Sequence, residues 1–109
     1  MSNRDMATTP EQVLEWYWDD QENAKRQLEH AHIVFACYQT EGYEGNALVI
    51  FIRSGGMFVV ESGHCSCNGL DFGEPKLTTP EKLLEEDFYV ADKERIASAV
   101  EIYKGQFKA

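Results

Sequence analysis

The residues best able to do chemistry lie together in the segment 63–70, which follows an apolar run. An imidazole and two thiols stand there within four positions, at His64, Cys65 and Cys67. Thiolate and imidazole are preferred zinc ligands, and a thiolate is also a nucleophile, so both kinds of chemistry start from this segment. In the alternative interpretation, the two cysteines are small, half-buried residues at a strand end, and His64 bonds to the backbone.

A zinc site in this segment lacks a fourth ligand. A structural zinc ion takes four, and paired cysteines usually have two or more residues between them. Here a single residue separates Cys65 from Cys67, and no second cysteine or histidine pair follows. Cys37, Asp71 or a residue of a second subunit would have to complete the shell. We therefore expect no metal and no cofactor, with zinc held by His64, Cys65 and Cys67 as the alternative.

A cysteine nucleophile needs a base within hydrogen-bond reach. His64 adjoins Cys65, but neighbouring residues of a strand point to opposite faces, so His64 is poorly placed to deprotonate that thiol. His30 and His32 approach it only if the fold brings them there, and no Asp or Asn is placed to orient a base. A disulfide between thiols one residue apart would be strained. We expect no catalytic residues and no enzyme, with a thiol-dependent enzyme or sensor as the alternative.

Acidic and aromatic residues point to a different function, which is contact with another protein. Carboxylates cluster at residues 19–22 and 85–87, where they form either a solvated helix surface or a mimic of the nucleic-acid backbone. Aromatic residues are also numerous, and an exposed aromatic side chain beside acids is typical of a contact hot spot. The residues that we predict to bind a protein partner are Trp16, Asp19, Asp20, Tyr43, Phe72, Glu85 and Glu86.

The overall charge excludes several partners. The 109 residues carry a formal net charge of −9, from 19 acidic and 10 basic side chains, and such a surface repels nucleic acid and anionic membranes. No apolar run approaches the roughly 20 residues that span a bilayer, and the first residues lack the apolar core of a signal peptide. Three cysteines do not form a disulfide framework, so we expect reduced thiols and a cytoplasmic location.

Helix signals stand at both ends of the chain. Thr9, Pro10 and Gln12 are typical of a capped helix start, and apolar residues then recur at helical spacing, which predicts one helix from about residue 10 to residue 30. Trp18 falls on the apolar face of that helix and Trp16 at its edge. A second start signal predicts a short helix from residue 80 to about residue 86, and a third helix follows Asp92.

Three strands are predicted between these helices, at residues 33–40, 47–52 and 57–60. A tight hairpin turn at Ser54, Gly55 and Gly56 joins the last two. The middle strand is apolar at every position, so both faces of the sheet need cover. Alternation places Ala47, Val49 and Phe51 on one face, and Leu48, Ile50 and Ile52 on the other.

Together these elements predict a single α+β domain over residues 1–109, in the order α-β-β-β-α-α. Its sheet would be a three-stranded antiparallel meander with an N-terminal helix and two C-terminal helices. Such helices cover one sheet face only, and a large bare apolar face is uncommon in a soluble monomer. We therefore expect a homodimer with two-fold symmetry. In the alternative, the first and last helices flank opposite faces and the chain is a self-sufficient monomer.

Part of the chain resembles a group of small uncharacterised proteins of bacteriophages and bacteria. In that group, a hairpin similar to residues 43–61 runs into a His-Cys-Ser-Cys-x-Gly-Leu loop, which His64 to Leu70 match here, and then into a short helix like that at Pro80. The match covers residues 40–85. Asn68 stands where the group commonly has tyrosine. The resemblance implies a phage-type or mobile-element protein and transfers no activity.

These observations combine into one functional prediction. We expect a small acidic accessory protein of phage or mobile-element type that acts as a non-enzymatic protein-binding module. It would inhibit or modulate a host or defence component in the host cytoplasm, with nucleic-acid mimicry as one route. It would bind neither nucleic acid directly nor a membrane. The alternative is a metal-binding or thiol-dependent protein centred on the segment from His64 to Cys67.

Overall fold

A computed structural model describes residues 2–18, 20–41, 44–64, 72–85 and 93–107. Its strands are β1 (Ser2–Ala7), β2 (His32–Glu41), β3 (Glu44–Arg53), β4 (Gly56–His64) and β5 (Lys76–Thr78). Its helices are α1 (Pro10–Trp16), α2 (Gln21–Leu28), α3 (Pro80–Glu85) and α4 (Lys93–Phe107). The strands form one sheet in the order β1-β2-β3-β4-β5, and every neighbouring pair is antiparallel.

The predicted fold class is wrong in its sheet and in its first helix. The three predicted strands lie within β2, β3 and β4, but β1 and β5 extend the sheet at its two edges to five strands. The predicted helix over residues 10–30 is two short helices, because the chain turns after Trp16 and the backbone N–H of Asp20 donates to Tyr17 O at 2.9 Å. The meander is therefore larger than the sequence pattern indicated, and the predicted N-terminal helix is divided in two.

The start of α1 follows its predicted capping chemistry. The backbone N–H of Gln12 donates to Thr9 Oγ1 at 3.3 Å, and the Gln12 side chain accepts from the backbone N–H of Thr9, also at 3.3 Å. Pro10 occupies the first helical position, where its missing N–H costs nothing. These bonds satisfy backbone donors that a helix start leaves unpaired, and they fix where α1 begins.

The sheet carries a hydrophobic core on each face, as the strand alternation predicted. The first, which we call the α1–α2 core, contains Ala47, Val49 and Phe51 of β3 together with Val13 and Leu28 of the first two helices. The second, the α3–α4 core, contains the alternate β3 residues and side chains of the last two helices: Leu48, Ile50, Leu83, Ile96 and Val100. Because neighbouring β3 residues point to opposite faces, the two helix pairs lie on opposite sides of the sheet.

Covered faces remove the reason given above for a dimer. A bare apolar face would remain only if the helices shielded one face of the sheet, whereas each face has its own helix pair. Self-association itself stays a prediction, and it needs a different physical basis. Within the described ranges, no helix is long and apolar enough to cross a bilayer.

Two local irregularities fit the chain to this sheet. In β2 the pairing register shifts between Ile33 and Phe35, which is a β-bulge that places Ile33 and Ala36 in the same core although they are three residues apart. Between β3 and β4 the chain reverses through Ser54 and Gly55, whose φ angles are 54° and 80°. Positive φ at both residues is the geometry of the tightest hairpin turns.

Candidate protein-binding site

An exposed tryptophan marks the connection between α1 and α2. Trp18 follows α1 directly and keeps 67% of its surface exposed, which is unusual for so large an apolar side chain. The carboxylate residues Glu15 and Glu22 lie on either side of it in the chain and are also exposed. We call this region, made of Glu15, Trp16, Trp18, Asp20 and Glu22, the α1–α2 corner.

Of the two tryptophans of the corner, Trp16 lies where the helical pattern placed it and Trp18 does not. Trp16, predicted at the edge of the apolar face, is half-buried, and its ring packs against Tyr38 of β2 with 5.7 Å between centroids. Trp18, predicted on the apolar face, is exposed because α1 has already ended there. The acidic pair at Asp19 and Asp20 is the sequence signal of that break, since aspartate favours the position before a helix over its interior.

Tyr17 holds the corner against the sheet. Its ring is fully buried, and its hydroxyl donates to Ser62 Oγ of β4 at 3.0 Å. Burial raises the pKa of Tyr17 to about 12, an effect that the hydrogen bond to Ser62 reduces and the nearby Tyr38 reinforces. A buried ring whose hydroxyl is hydrogen-bonded holds its backbone firmly in place. The exposed Trp18, the next residue in the chain, therefore projects from a fixed backbone.

Asp20 links the start of α2 to a distant part of the chain. Its carboxylate accepts the backbone N–H of Phe72 at 3.0 Å and the Asn23 side-chain amide at 3.2 Å. Asp20 precedes α2, and its side chain makes no capping bond to that helix. The carboxylate instead ties the start of α2 to the chain that enters the core at Phe72.

Phe72 is a core residue. None of its surface is exposed, and its ring packs edge-on against Tyr17 with 4.9 Å between centroids. It also lies 6.3 Å from the ring of Phe51, measured between centroids. The sequence predicts a partner contact at this position, but the ring is covered by its own chain, so Phe72 is not part of the proposed surface.

An open groove of about 1110 Å³ runs along the outside of α1 and α2. Its apolar lining comes from Pro10, Leu14, Leu28 and Ala31, and its polar lining comes from Glu11, Gln21, Glu22, Lys25, Arg26, Glu29 and His30. Three carboxylates and two basic side chains therefore border one open depression. Glu22 belongs both to this groove and to the α1–α2 corner, which makes the two features continuous.

Of the remaining predicted contact residues, Glu85 is the one that the structure describes. Glu85 is exposed at the end of α3, and α3 packs on the opposite face of the sheet through Leu83. Asp19, Tyr43 and Glu86 lie outside the described residues. Glu85 therefore does not belong to the α1–α2 corner.

The candidate zinc residues are only partly described. Cys65, Cys67 and the possible fourth ligand Asp71 lie outside the described ranges, and the backbone of His64 ends β4 opposite Gly45. Cys37 is fully buried in the α3–α4 core, two strands and three residues away from His64 in the ladder. Strand spacing puts their Cα atoms about 14 Å apart, too far for ligands that bind zinc at about 2.0–2.3 Å. Cys37 therefore does not complete a site with His64.

No group of three or more His, Cys, Asp or Glu side chains able to hold a metal occurs among the residues that the structure describes. The zinc alternative at His64, Cys65 and Cys67 stays a prediction.

Comparison with protein-family models, with curated proteins and with solved structures finds no match for this chain. The chemistry of the described surface is thus the basis for a functional proposal.

Proposed function

We propose that this protein acts by binding another protein through the α1–α2 corner, without catalysing a reaction. The observation that carries the proposal is Trp18, a rigidly mounted tryptophan with 67% of its surface exposed. Tryptophan is among the residues that most often dominate binding energy at protein interfaces. An exposed tryptophan offers a large, rigid and amphipathic contact area, and its neighbouring carboxylates suit it to a protein partner.

Charge defines the kind of partner. The whole chain carries −9, and exposed carboxylates at Glu11, Glu15, Glu22 and Glu29 outnumber the basic Lys25 and Arg26 on the two helices. A partner with a basic surface is attracted to this region, and electrostatic attraction mainly raises the association rate. Nucleic-acid-binding proteins have such surfaces, which is consistent with an accessory protein that modulates a host or defence component.

The test is an affinity capture with three versions of the protein. Wild type, Trp18→Ala and Leu77→Ala are each immobilised and exposed to lysate of the host cell, and the retained proteins are quantified by mass spectrometry. Leu77 is the matched control, because it is 70% exposed at the far edge of the sheet, on β5. We expect a partner that wild type and Leu77→Ala retain and Trp18→Ala loses.

The captured partner is then titrated in purified form. Loss of a hot-spot tryptophan should weaken its binding by about 2 kcal/mol or more, which is roughly 30-fold. Binding should also weaken as salt is added, because the attraction between opposite charges is screened. Equal retention by wild type and Trp18→Ala would contradict the proposal, as would a partner whose affinity does not change with the Trp18 substitution.

A further inference from the structure

The groove along α1 and α2 has the size of a site for a polypeptide segment. Its volume is about 1110 Å³ and it is open to solvent, whereas small-molecule pockets hold about 300–1,000 Å³ and enclose most of their ligand. The Gln21 side chain donates to Leu14 O at 3.3 Å, so a hydrogen bond joins the two helices that form its walls. Its apolar lining includes the half-buried Pro10, Leu14 and Ala31. A partner segment with apolar side chains therefore fits a groove that is already formed.

The walls of this groove favour a helical segment over an extended one. Both walls are helices, and the backbone N–H and C=O groups of a helix bond mainly within that helix. They offer few partners to the backbone of an extended peptide, which needs such partners once it is buried. A helix satisfies its own backbone groups, so the groove can cover it without leaving polar groups unpaired.

The charges of α2 follow a regular order beside the groove. Glu22 lies at the start of α2 and Glu29 directly after its last residue, so the two carboxylates are two helical turns, or about 10 Å, apart. Lys25 and Arg26 lie between them. Within the described ranges of the chain, Glu22, Lys25 and Arg26 form no ion pair, and Glu29 pairs with the exposed His30 at 3.8 Å. A partner can therefore pair with these side chains.

We propose that the groove binds an amphipathic helix of the partner protein, whose apolar face covers the half-buried apolar lining. Beside that face, the helix carries two basic side chains two turns apart, which meet Glu22 and Glu29. Between them it carries an acidic side chain, which meets Lys25. Apolar contact at the centre and opposite charges at the rim are typical of such interfaces. This inference rests on the proposed function, since the helix belongs to the protein that Trp18 binds.

Three synthetic peptides of about 18 residues, long enough to form helix in water, test the charge order. The first has a leucine stripe at helical spacing, two lysines two turns apart, and a glutamate between them. The second has lysine and glutamate exchanged. The third contains the residues of the first in scrambled order, so it has the same net charge and no apolar face. Fluorescence anisotropy of the labelled peptides measures their binding.

Each peptide is titrated with wild type, with a groove variant and with a matched control variant. The groove variant carries Glu22→Lys and Glu29→Lys. The control variant carries Glu94→Lys and Glu101→Lys, which are also exposed and two turns apart, but on α4 at the opposite face of the sheet. Both variants change the net charge equally, and circular dichroism establishes that each is folded. The single substitution Glu29→Lys takes the place of the groove variant if that variant does not fold.

Wild type and the control variant should bind the first peptide about tenfold more tightly than the second or the third. The groove variant should lose this preference and bind the second peptide more tightly than the first. Equal binding of the first and third peptides by wild type would overturn the inference. So would a groove variant that behaves like the control variant.

The partner captured with immobilised protein separates this inference from the proposed function. A partner that Trp18→Ala loses and the groove variant retains in full would support the proposed function and overturn the helix in the groove. Discrimination among the peptides, in a protein whose retained partners do not depend on Trp18, would support the groove as a helix site and contradict the proposed function.

Discussion

At the scale of single residues, Tyr17 shows how one side chain sets both stability and the geometry of the surface. Its hydroxyl is buried and bonded to Ser62, and burial raises its pKa to about 12 from an ordinary value of 10.0. The unfolded chain therefore loses this proton at lower pH than the folded chain. The stabilisation of the folded chain by the protonated Tyr17 hydroxyl is complete below pH 10 and is lost as the pH rises through 12.

We expect the free energy of unfolding to fall by about 2–3 kcal/mol between pH 9 and pH 12 because of Tyr17 alone. Urea unfolding at a series of pH values measures this slope. Tyr17→Phe removes the ionising group and should show a correspondingly flatter alkaline profile. Tyr38→Phe, which removes a neighbouring phenol, is the control and should keep most of the slope. Identical profiles for wild type and Tyr17→Phe would show that Tyr17 is not buried as described.

The hairpin turn offers a second test at single residues. Ser54 adopts φ of 54°, in the left-handed region that asparagine tolerates better than serine. Ser54→Asn should therefore raise the free energy of unfolding by a few tenths of a kcal/mol, up to about 1. Gly55→Ala should lower it by about 1 kcal/mol, from backbone strain alone, because a Cβ at that position meets nothing within 4 Å. Equal stability of these two variants would contradict the turn geometry.

At the scale of elements, sequence pattern predicted the interior of the sheet and missed its edges. The three inner strands are rich in β-branched and aromatic residues, and in β3 the alternation predicted which side chains share a core. β1 has the sequence SNRDMA, which lacks strand periodicity. It forms a strand because all six of its residues pair with β2. β5 is too short for any pattern to show. Both edge strands therefore depend on pairing with other strands of the sheet, which a local sequence pattern does not show.

The candidate site was predictable only in its chemistry. Aromatic and acidic residues around position 18 indicated a contact surface, but helical periodicity extended through Trp18 and assigned it to the apolar face. The break between α1 and α2 reverses that assignment. Asp19 and Asp20 signal the break locally, but the contacts that hold the corner in place, from Tyr17 to Ser62 and from Phe72 to Asp20, are not local. Both contacts span more than 40 residues of sequence, so no local pattern contains them.

The bond from Phe72 to Asp20 can be tested at this scale. Asp20→Ala removes the acceptor of the half-buried Phe72 N–H, which is 3.0 Å away, and the partner of the Asn23 amide. An unsatisfied buried donor costs about 1–3 kcal/mol, so chemical denaturation should show a loss of this size. Glu22→Ala, at an exposed carboxylate two residues on, is the control and should change stability by less than about 0.5 kcal/mol. A similar effect of both substitutions would argue against a specific role for Asp20.

At the scale of the whole molecule, one sheet separates two cores, and each core depends on its own helix pair. Leu28 of α2 and Leu83 of α3 are equivalent in type and burial but belong to opposite faces. Because both cores share β2, β3 and β4, loss of packing on one face removes support from strands that the other face also uses. This arrangement predicts a single cooperative unfolding transition for the described domain.

We expect Leu28→Ala and Leu83→Ala each to lower the free energy of unfolding by about 2–5 kcal/mol. Leu77→Ala, at a side chain that is 70% exposed, should change it by less than about 0.5 kcal/mol. Trp16 is the last residue of α1 and Trp18 lies two residues beyond it, so their fluorescence reports on the α1–α2 face. Far-ultraviolet circular dichroism reports on the whole fold. In Leu83→Ala, on the opposite face, the two signals should still change at the same denaturant concentration. The contrary result is a fluorescence transition that stays at the wild-type midpoint while the dichroism transition moves. The α3–α4 layer would then unfold independently, and the two cores would not be one cooperative unit.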